Sequence, residues 1–504
     1  MIAGAGYEQA HKWSRAISTY KRAARMRPRQ SAPHVAIGNS LARAGHHQRA
    51  IKAFNEALTV DAGSAQAHFR IGELLSYLGF YEDAVSHFAR TVEIDPEWLE
   101  AREVLGRALW TVHDYPAAER AWRGWKGLQD ERARKQGLDP DDFRVLSHVW
   151  TQWLGNNAHL DAYLKLRELG WAPKRKLKLL AANDKVANPA YLNLWRDYAE
   201  IVTDDEEVRK LSAIGGFMGD SLYAMWVKES PAYFPHAIAL VQSEWDKQQR
   251  APLVSVGKEE NERGRRVLAS MGVSPDAWFA CLHVREGGFW NEAGNATDAP
   301  RVANVESYVP AVRHIVARGG WVVRLGDKSM RPLPKMAGVI DYALSEQKSD
   351  WMDVFLTANC RFLIATNSAL FQVAMSLAVP IVATNWMPLS SFPMQAGDIV
   401  VPKLLRARSG EQLTFDEMLA LPRDVWSGYY LQRRRLDVID NSPRDILAAV
   451  EEMLARLDQT WKSGGEAKAR ADAFGRVALD RRVIVNAAVS EQFLERNASL
   501  LRTV

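Results

Sequence analysis

One interval constrains this chain more than any other feature: near its start, residues of one type recur every 34 positions. Gly4, Gly38, Gly72 and Gly106 keep that step, and so do Ala16, Ala50, Ala84 and Ala118. The aromatics Tyr20, Phe54, Phe88 and Trp122 follow it too, while Pro28 and Pro96 hold a matching turn position with Ala62 between them. A period of this length signals a repeat architecture, in which each unit is too small to bury its own apolar face and must stack on its neighbours.

The pattern resembles the tetratricopeptide repeat (TPR), a helix–turn–helix unit. In such a unit Gly and Ala let the two helices approach closely, the aromatic fills the next layer, and Pro stops the second helix. The resemblance assigns residues 1–128 to an array of about four repeats. Gly4 stands where the eighth position of a repeat belongs, so the first unit is truncated: either the chain begins inside a repeat or its natural start lies earlier. Arrays of this kind offer a concave face to a protein partner. Asn39, Arg43, Arg70 and Arg107 are the candidates for that face; a spacer or a dimer contact is the plainer alternative.

Composition narrows the rest. A hydrophobic fraction of 47% and a charged fraction of 25% are ordinary for a globular protein, which excludes dominant disorder and a small disulfide scaffold. A net charge of +5 over 504 residues is too weak to argue for nucleic acid. Only Cys281 and Cys360 are present, which fits a reducing cytoplasm. No run approaches the ~18–20 apolar residues of a membrane span, and Met1–Tyr7 lacks the basic and apolar regions of a signal peptide. The eighteen Trp residues read chiefly as core.

Beyond Trp125 the pattern changes. Gln129–Asp142 reads as a linker or helix end, and apolar runs then alternate with helical stretches. Strands are expected at Arg144–Trp150 and Lys176–Ala182, and helices at Asn157–Leu169 and Pro189–Ile201, with 205–250 mostly helical. A clearer unit follows, with strands at Trp278–Val284, Trp321–Leu325, Val339–Tyr342, Arg361–Ala365 and Val379–Thr384. Helices Val305–Arg318, Asp350–Asn359 and Ala369–Leu377 lie between them. Such alternation predicts a parallel sheet flanked by helices, and ligands bind outside the carboxyl ends of such strands.

The residues at those ends are His283 and Arg285, Gly326 and Asp327, Thr366-Asn367-Ser368, and Thr384-Asn385. Arg285 has the donor fork to grip a diphosphate. His283 is placed to orient it or to meet an acceptor. Thr366-Asn367-Ser368 opens a helix, where it either caps the first turn or joins the helix N–H groups in holding an anion. Asp327 either holds a ribose or base or caps a turn. Arg324 and Lys328 add positive charge nearby. No metal-ligand spacing occurs, Asp139-Pro140-Asp141 lying in the linker-like stretch, and no P-loop, dinucleotide fingerprint or nucleophile elbow occurs.

Cys281-Leu282-His283-Val284-Arg285-Glu286 resembles the HxR strand end of fucosyltransferase-like glycosyltransferases. The run from Asp353 through Cys360 to Asn367-Ser368 is similar to that group's D-x-x-x-M-x-x-C-x-x-x-I-x-x-N-S pattern. Roughly residues 140–500, ending in Ser490–Asn497, look like a bacterial group of glycosyltransferase-like proteins often fused to TPR units. The resemblance implies an α plus α/β chain: a TPR α-solenoid, then a GT-B-like pair of Rossmann-like domains. Residues 140–250 would form the acceptor-side domain, 251–460 the nucleotide-sugar domain, and 461–504 a helical extension. The implied reaction is metal-independent, inverting transfer from a nucleotide sugar, with GDP-linked donors one option, to a protein or surface glycan.

In that scheme Arg285, Asp327, Thr366, Asn367 and Ser368 bind the donor. Glu286 is the first candidate for general base and His283 the second. The family's acid five residues after the His is here Gly288, with Glu292 and Asp298 within reach and 287–304, including Trp290, reading as a lid. Two alternatives stay open: a non-catalytic scaffold that binds a nucleotide sugar, and a nucleotide-sugar epimerase on the same frame.

Overall fold

The computed structural model describes residues 1–182, 185–287, 299–391, 394–423 and 428–501. The chain divides into two compact units, Met1–Arg132 and Ala133–Val504.

The first unit is all helix. Its elements are α1 Ile2–Gln9, α2 Trp13–Met26, α3 Ala32–Arg43, α4 His47–Val60, α5 Ala65–Tyr77, α6 Tyr81–Ile94, α7 Leu99–Thr111 and α8 Tyr115–Lys135. The even-numbered helices start at Trp13, His47, Tyr81 and Tyr115, so the sequence period reappears in space. Helix α8 runs on for 21 residues against 14 for α2, α4 and α6, so much of the expected linker is helical.

The glycines of the repeat have a direct cause. A Cβ added at Gly4, Gly38, Gly72 or Gly106 would stand 2.3–2.7 Å from the ring of Tyr20, Phe54, Phe88 or Trp122 respectively. Each glycine therefore makes room for the aromatic sixteen residues later, inside its own repeat. Gly38→Ala is expected to cost about 1–3 kcal/mol, because Phe54 is only 1% exposed and has no space to retreat. Gly6→Ala, where nothing lies within 4 Å, is expected to be neutral or to stabilise by up to ~1 kcal/mol. Thermal unfolding of the two variants checks this; equal shifts would overturn the packing argument.

The second unit holds two parallel sheets. β1 Phe143–Leu146, β2 Lys176–Leu180 and β3 Glu200–Val202 form a three-stranded sheet in that order. A hairpin of β4 Ala224–Val227 and β5 Ser230–Tyr233 follows. The larger sheet contains β6 Phe279–His283, β7 Trp321–Arg324, β8 Val339–Ile340, β9 Leu363–Ala365, β10 Ile381–Trp386, β11 Ile399–Pro402 and β14 Ala488–Val489. Its spatial order is β14-β11-β10-β9-β6-β7-β8, with every pairing parallel. β6, β9, β10 and β11 are buried along their whole length, as expected of parallel strands covered on both faces. A second hairpin, β12 Leu404–Ala407 with β13 Leu436–Ile439, stands as a separate two-stranded sheet.

Some elements differ from their expectation. The stretch read as a helix from Pro189 to Ile201 is a short helix, Pro189–Asn193, followed by β3. The 461–504 segment contributes helices Gly465–Asp480 and Glu491–Arg496 and also an edge strand, β14.

Candidate active site

The order of the large sheet fixes where a ligand can enter. From β6 the chain moves through β7 to β8 on one side; it then returns, and β9, β10 and β11 build outward on the other. The β6/β9 boundary is therefore the switch point, where the loops leaving two neighbouring strands diverge and open a crevice.

The register places His283 beside Ala365, so the following residues emerge together. Thr366 N donates to the His283 carbonyl at 3.1 Å, and the Thr366 hydroxyl accepts from Arg285 N at 2.8 Å. Thr366 is fully buried and thus fastens Arg285 rather than presenting a free hydroxyl. The Arg285 carbonyl accepts from Ala303 N at 3.0 Å, which fixes the residue's other backbone group.

Two polar atoms at this crevice lack partners. Ser368 is the N-cap residue of helix Ala369–Ser376, yet its hydroxyl makes no capping bond. It is 7% exposed and has no hydrogen-bond partner among the described residues. His283 is 9% exposed, and its Nδ1 is likewise unpartnered. Burial, then the charge of Arg285, lowers the His283 pKa to about 4, with Asp327 opposing and Arg324 assisting. The imidazole is neutral at neutral pH. Buried polar groups without partners are costly. Here they lie beside a helix N-terminus and an arginine, a setting that suits an anion.

The other expected site residues have structural partners. Asn367 donates from Nδ2 to the Met387 carbonyl at 2.7 Å and so holds the loop after β10. Asp327 accepts from Ser329 N at 2.8 Å, a turn cap, although its charge still reaches His283. Glu286 departs furthest from its expected role. Its carboxylate accepts from Arg324 at 2.7 Å, from Arg331 Nε at 2.9 Å and from Arg331 N at 3.1 Å. Both carboxylate oxygens are thus engaged by guanidiniums, and the geometry makes Glu286 an anchor of these arginines.

Arg324, fully buried, also pairs with Asp341 at 3.2 Å, so its charge is spent inside the fold. Thr384 and Asn385 are withdrawn as well. The Tyr308 hydroxyl lies 2.7 Å from the Thr384 hydroxyl and accepts from Asn385 Nδ2 at 3.0 Å, while Asn441 N donates to Asn385 Oδ1 at 2.8 Å. Gly288, Trp290, Glu292, Asp298 and most of the expected lid lie outside the described residues. Among the described residues, no group of three His, Cys, Asp or Glu is placed to hold a metal ion.

Sequence reasoning missed one contributor. Helix Leu154–Glu168, which follows β1, reaches the head of helix Ala369–Ser376. A Cβ on Gly155 would lie 3.6 Å from Ala369 Cβ and from Gln372 Oε1, and His159 Nε2 is 3.1 Å from Gln372 Nε2. The smaller sheet thus sends its first long helix to the crevice. A glycine in the first turn of a helix was the available signal.

Within the repeat unit a groove of about 440 Å³ is lined by Asn39, Arg43, His47, Arg70, Glu73 and Tyr77. Three of the four expected concave-face residues meet there; Arg107 does not line it. Arg70 is paired with Glu73 at 2.6 Å.

The tetratricopeptide repeat family matches residues 4–67, 35–97 and 69–123. The N-terminal region carries TPR repeats. The solved structures similar to the chain include that of MamA, at 18% identity, covering 26% of this chain and 77% of that one with a TM-score of 0.25. YrrB, described as a TPR protein with an unusual peptide-binding site, is 20% identical over 25% of this chain and 66% of its own, TM-score 0.23. The second TPR domain of human RPAP3, solved with an HSP70 peptide, is 21% identical over 21% and 88%, TM-score 0.20. No curated protein matches the chain. No helix among the described residues is long and apolar enough to cross a membrane.

Proposed function

We propose that residues 133–504 form a glycosyltransferase that draws a sugar from a nucleoside-diphosphate donor, with the TPR region recruiting the acceptor protein or an assembly partner. One observation carries the reading: the unpartnered Ser368 hydroxyl and His283 Nδ1 flank a helix N-terminus and Arg285 at the switch point of a parallel sheet. Together they offer hydrogen-bond donors and positive charge where the donor's diphosphate would sit. The leaving group is thereby neutralised by protein groups. The smaller sheet and its helix at Gly155 play the acceptor-side half of a GT-B pair in this reading.

Transfer also needs an acceptor for the hydroxyl proton. With Glu286 engaged by two arginines, His283 takes that role. Its low basicity comes from burial and the Arg285 charge. A bound diphosphate opposes that charge and raises the imidazole's affinity for a proton. Two thiols, both buried and unbridged, fit a cytoplasmic setting.

A second reading has its own support. A site whose candidate base Glu286 is held in ion pairs also suits a TPR scaffold that binds a nucleotide sugar without turnover. Incubating the full chain with uridine- and guanosine-diphosphate sugars, with and without cell extract as acceptor, separates the two. Nucleotide release that requires the extract is the expected result. Tight binding without release supports the scaffold, and absence of binding to every donor overturns both.

A further inference from the structure

We propose that the corner built from β12, β13 and helix Gly428–Arg434 is a docking surface for the anionic headgroups of a lipid bilayer. The sequence brings Arg406 and Arg408 to one arm of the hairpin and Arg433-Arg434-Arg435 to the entry of the other. All five are exposed. The hairpin register pairs Arg406 with Asp437 and Ala407 with Leu436. Arg408 follows Ala407 in the turn and Arg435 precedes Leu436, so both stand at the same end of the hairpin. An anionic surface laid over that end meets both guanidiniums together.

The local charge is unbalanced. Among the described residues, no ion pair or side-chain hydrogen bond holds Arg406, Arg408, Arg434 or Arg435. The acidic residues of the hairpin are Glu411 in the turn, Asp437 and Asp440, and Asp440 is engaged by Lys403 at 2.7 Å. A helix C-terminus favours Arg433 and Arg434 through its dipole, and Asp437 stands opposite Arg406, but that leaves Arg408 and Arg435 unexplained.

The form of the patch favours a lipid surface over nucleic acid. Single-strand sites pair a basic groove with exposed aromatic platforms. Here Tyr430 is buried, with the Arg433 guanidinium 5.7 Å from its ring centroid, and no described residue of the three elements is an exposed aromatic. Clustered arginines that need no groove are the footprint of attraction to an anionic membrane, each strengthening binding about fivefold.

The test is sedimentation of the full chain with vesicles of phosphatidylcholine alone or mixed with phosphatidylglycerol. Binding is expected only to the phosphatidylglycerol vesicles and is expected to fade as salt is added. R406Q/R408Q/R434Q/R435Q should lower the partition coefficient by about a hundredfold or more. The matching set of four lysine substitutions should retain most of it, and Arg408→Gln or Arg434→Gln alone should lose about fivefold. Each variant's unfolding midpoint is recorded alongside; should the fourfold glutamine variant not fold, the two single variants decide. Wild-type protein that ignores phosphatidylglycerol, or glutamine variants that bind as wild type does, would overturn the proposal. So would arginine-dependent binding of a short DNA duplex by a protein that leaves the vesicles untouched.

Discussion

Arg285→Ala is expected to weaken binding of a nucleoside-diphosphate sugar by about 2–5 kcal/mol, at least a thirtyfold rise in Kd, and to abolish transfer. The residue is fixed through its backbone on both sides, by Thr366 and by Ala303, so its guanidinium leaves from a defined point at the crevice. Deleting it leaves His283 and Ser368 to face the diphosphate alone. Arg285→Lys should fall between, since an ammonium keeps the charge but loses the two-pronged geometry. A second readout belongs to the same variant. The Arg285 charge is second only to burial in depressing His283, so without it His283 should titrate above about 4 in the ligand-free protein. Unchanged Kd in Arg285→Ala would remove the donor site from this crevice.

Glu286→Ala should destabilise the second unit by on the order of 3 kcal/mol, the low end for breaking a buried pair because Asp341 still faces Arg324. The midpoint of urea unfolding, followed by tryptophan fluorescence, reads this directly. The same position separates two roles. An anchoring carboxylate makes Glu286→Gln less stable than wild type, with turnover falling only as far as the arginines shift. A general base makes Glu286→Gln equally stable but slower by about 10²–10⁴-fold. The ion pairs predict the first pattern, and the second would return Glu286 to the chemistry.

The repeat array was legible because its information is local. Gly38 and Phe54 touch inside one unit, so the fixed interval between them already encodes the contact. The central strands were legible for a related reason: β6 and β10 open on continuous apolar runs, Phe279–Leu282 and Ile381–Ala383, of the kind a buried parallel sheet requires. β3 and β14, of three and two residues, were not read as strands: one lies at the end of a stretch read as a helix and the other inside the segment read as a helical extension. The β4–β5 hairpin hid because its turn is Lys228-Glu229, with Lys228 at φ 60° where glycine or asparagine is the usual marker.

At the site, His283, Arg285, Thr366 and Ser368 were named from strand ends alone, because a parallel sheet collects those ends on one edge. Their separate jobs were not visible. Glu286 lies 38 residues from Arg324 and 45 from Arg331, and Asn367 lies 20 from Met387. Whether a polar side chain is spent on such a distant partner is settled by packing, not by the residues beside it in the chain.

The place of β14 bears on how the protein is made. It pairs Ala488 and Val489 with Ile399 and Val400 of β11, some ninety residues earlier in synthesis. While the ribosome adds that interval, β11 has a fully apolar strand with one edge uncovered, the kind of edge that recruits other chains. The helical repeats, whose contacts are short in sequence, are able to form early in that time. The sheet holding the crevice cannot be finished until Val489 emerges, so the nascent chain carries a formed repeat module before it has a complete sheet at the crevice.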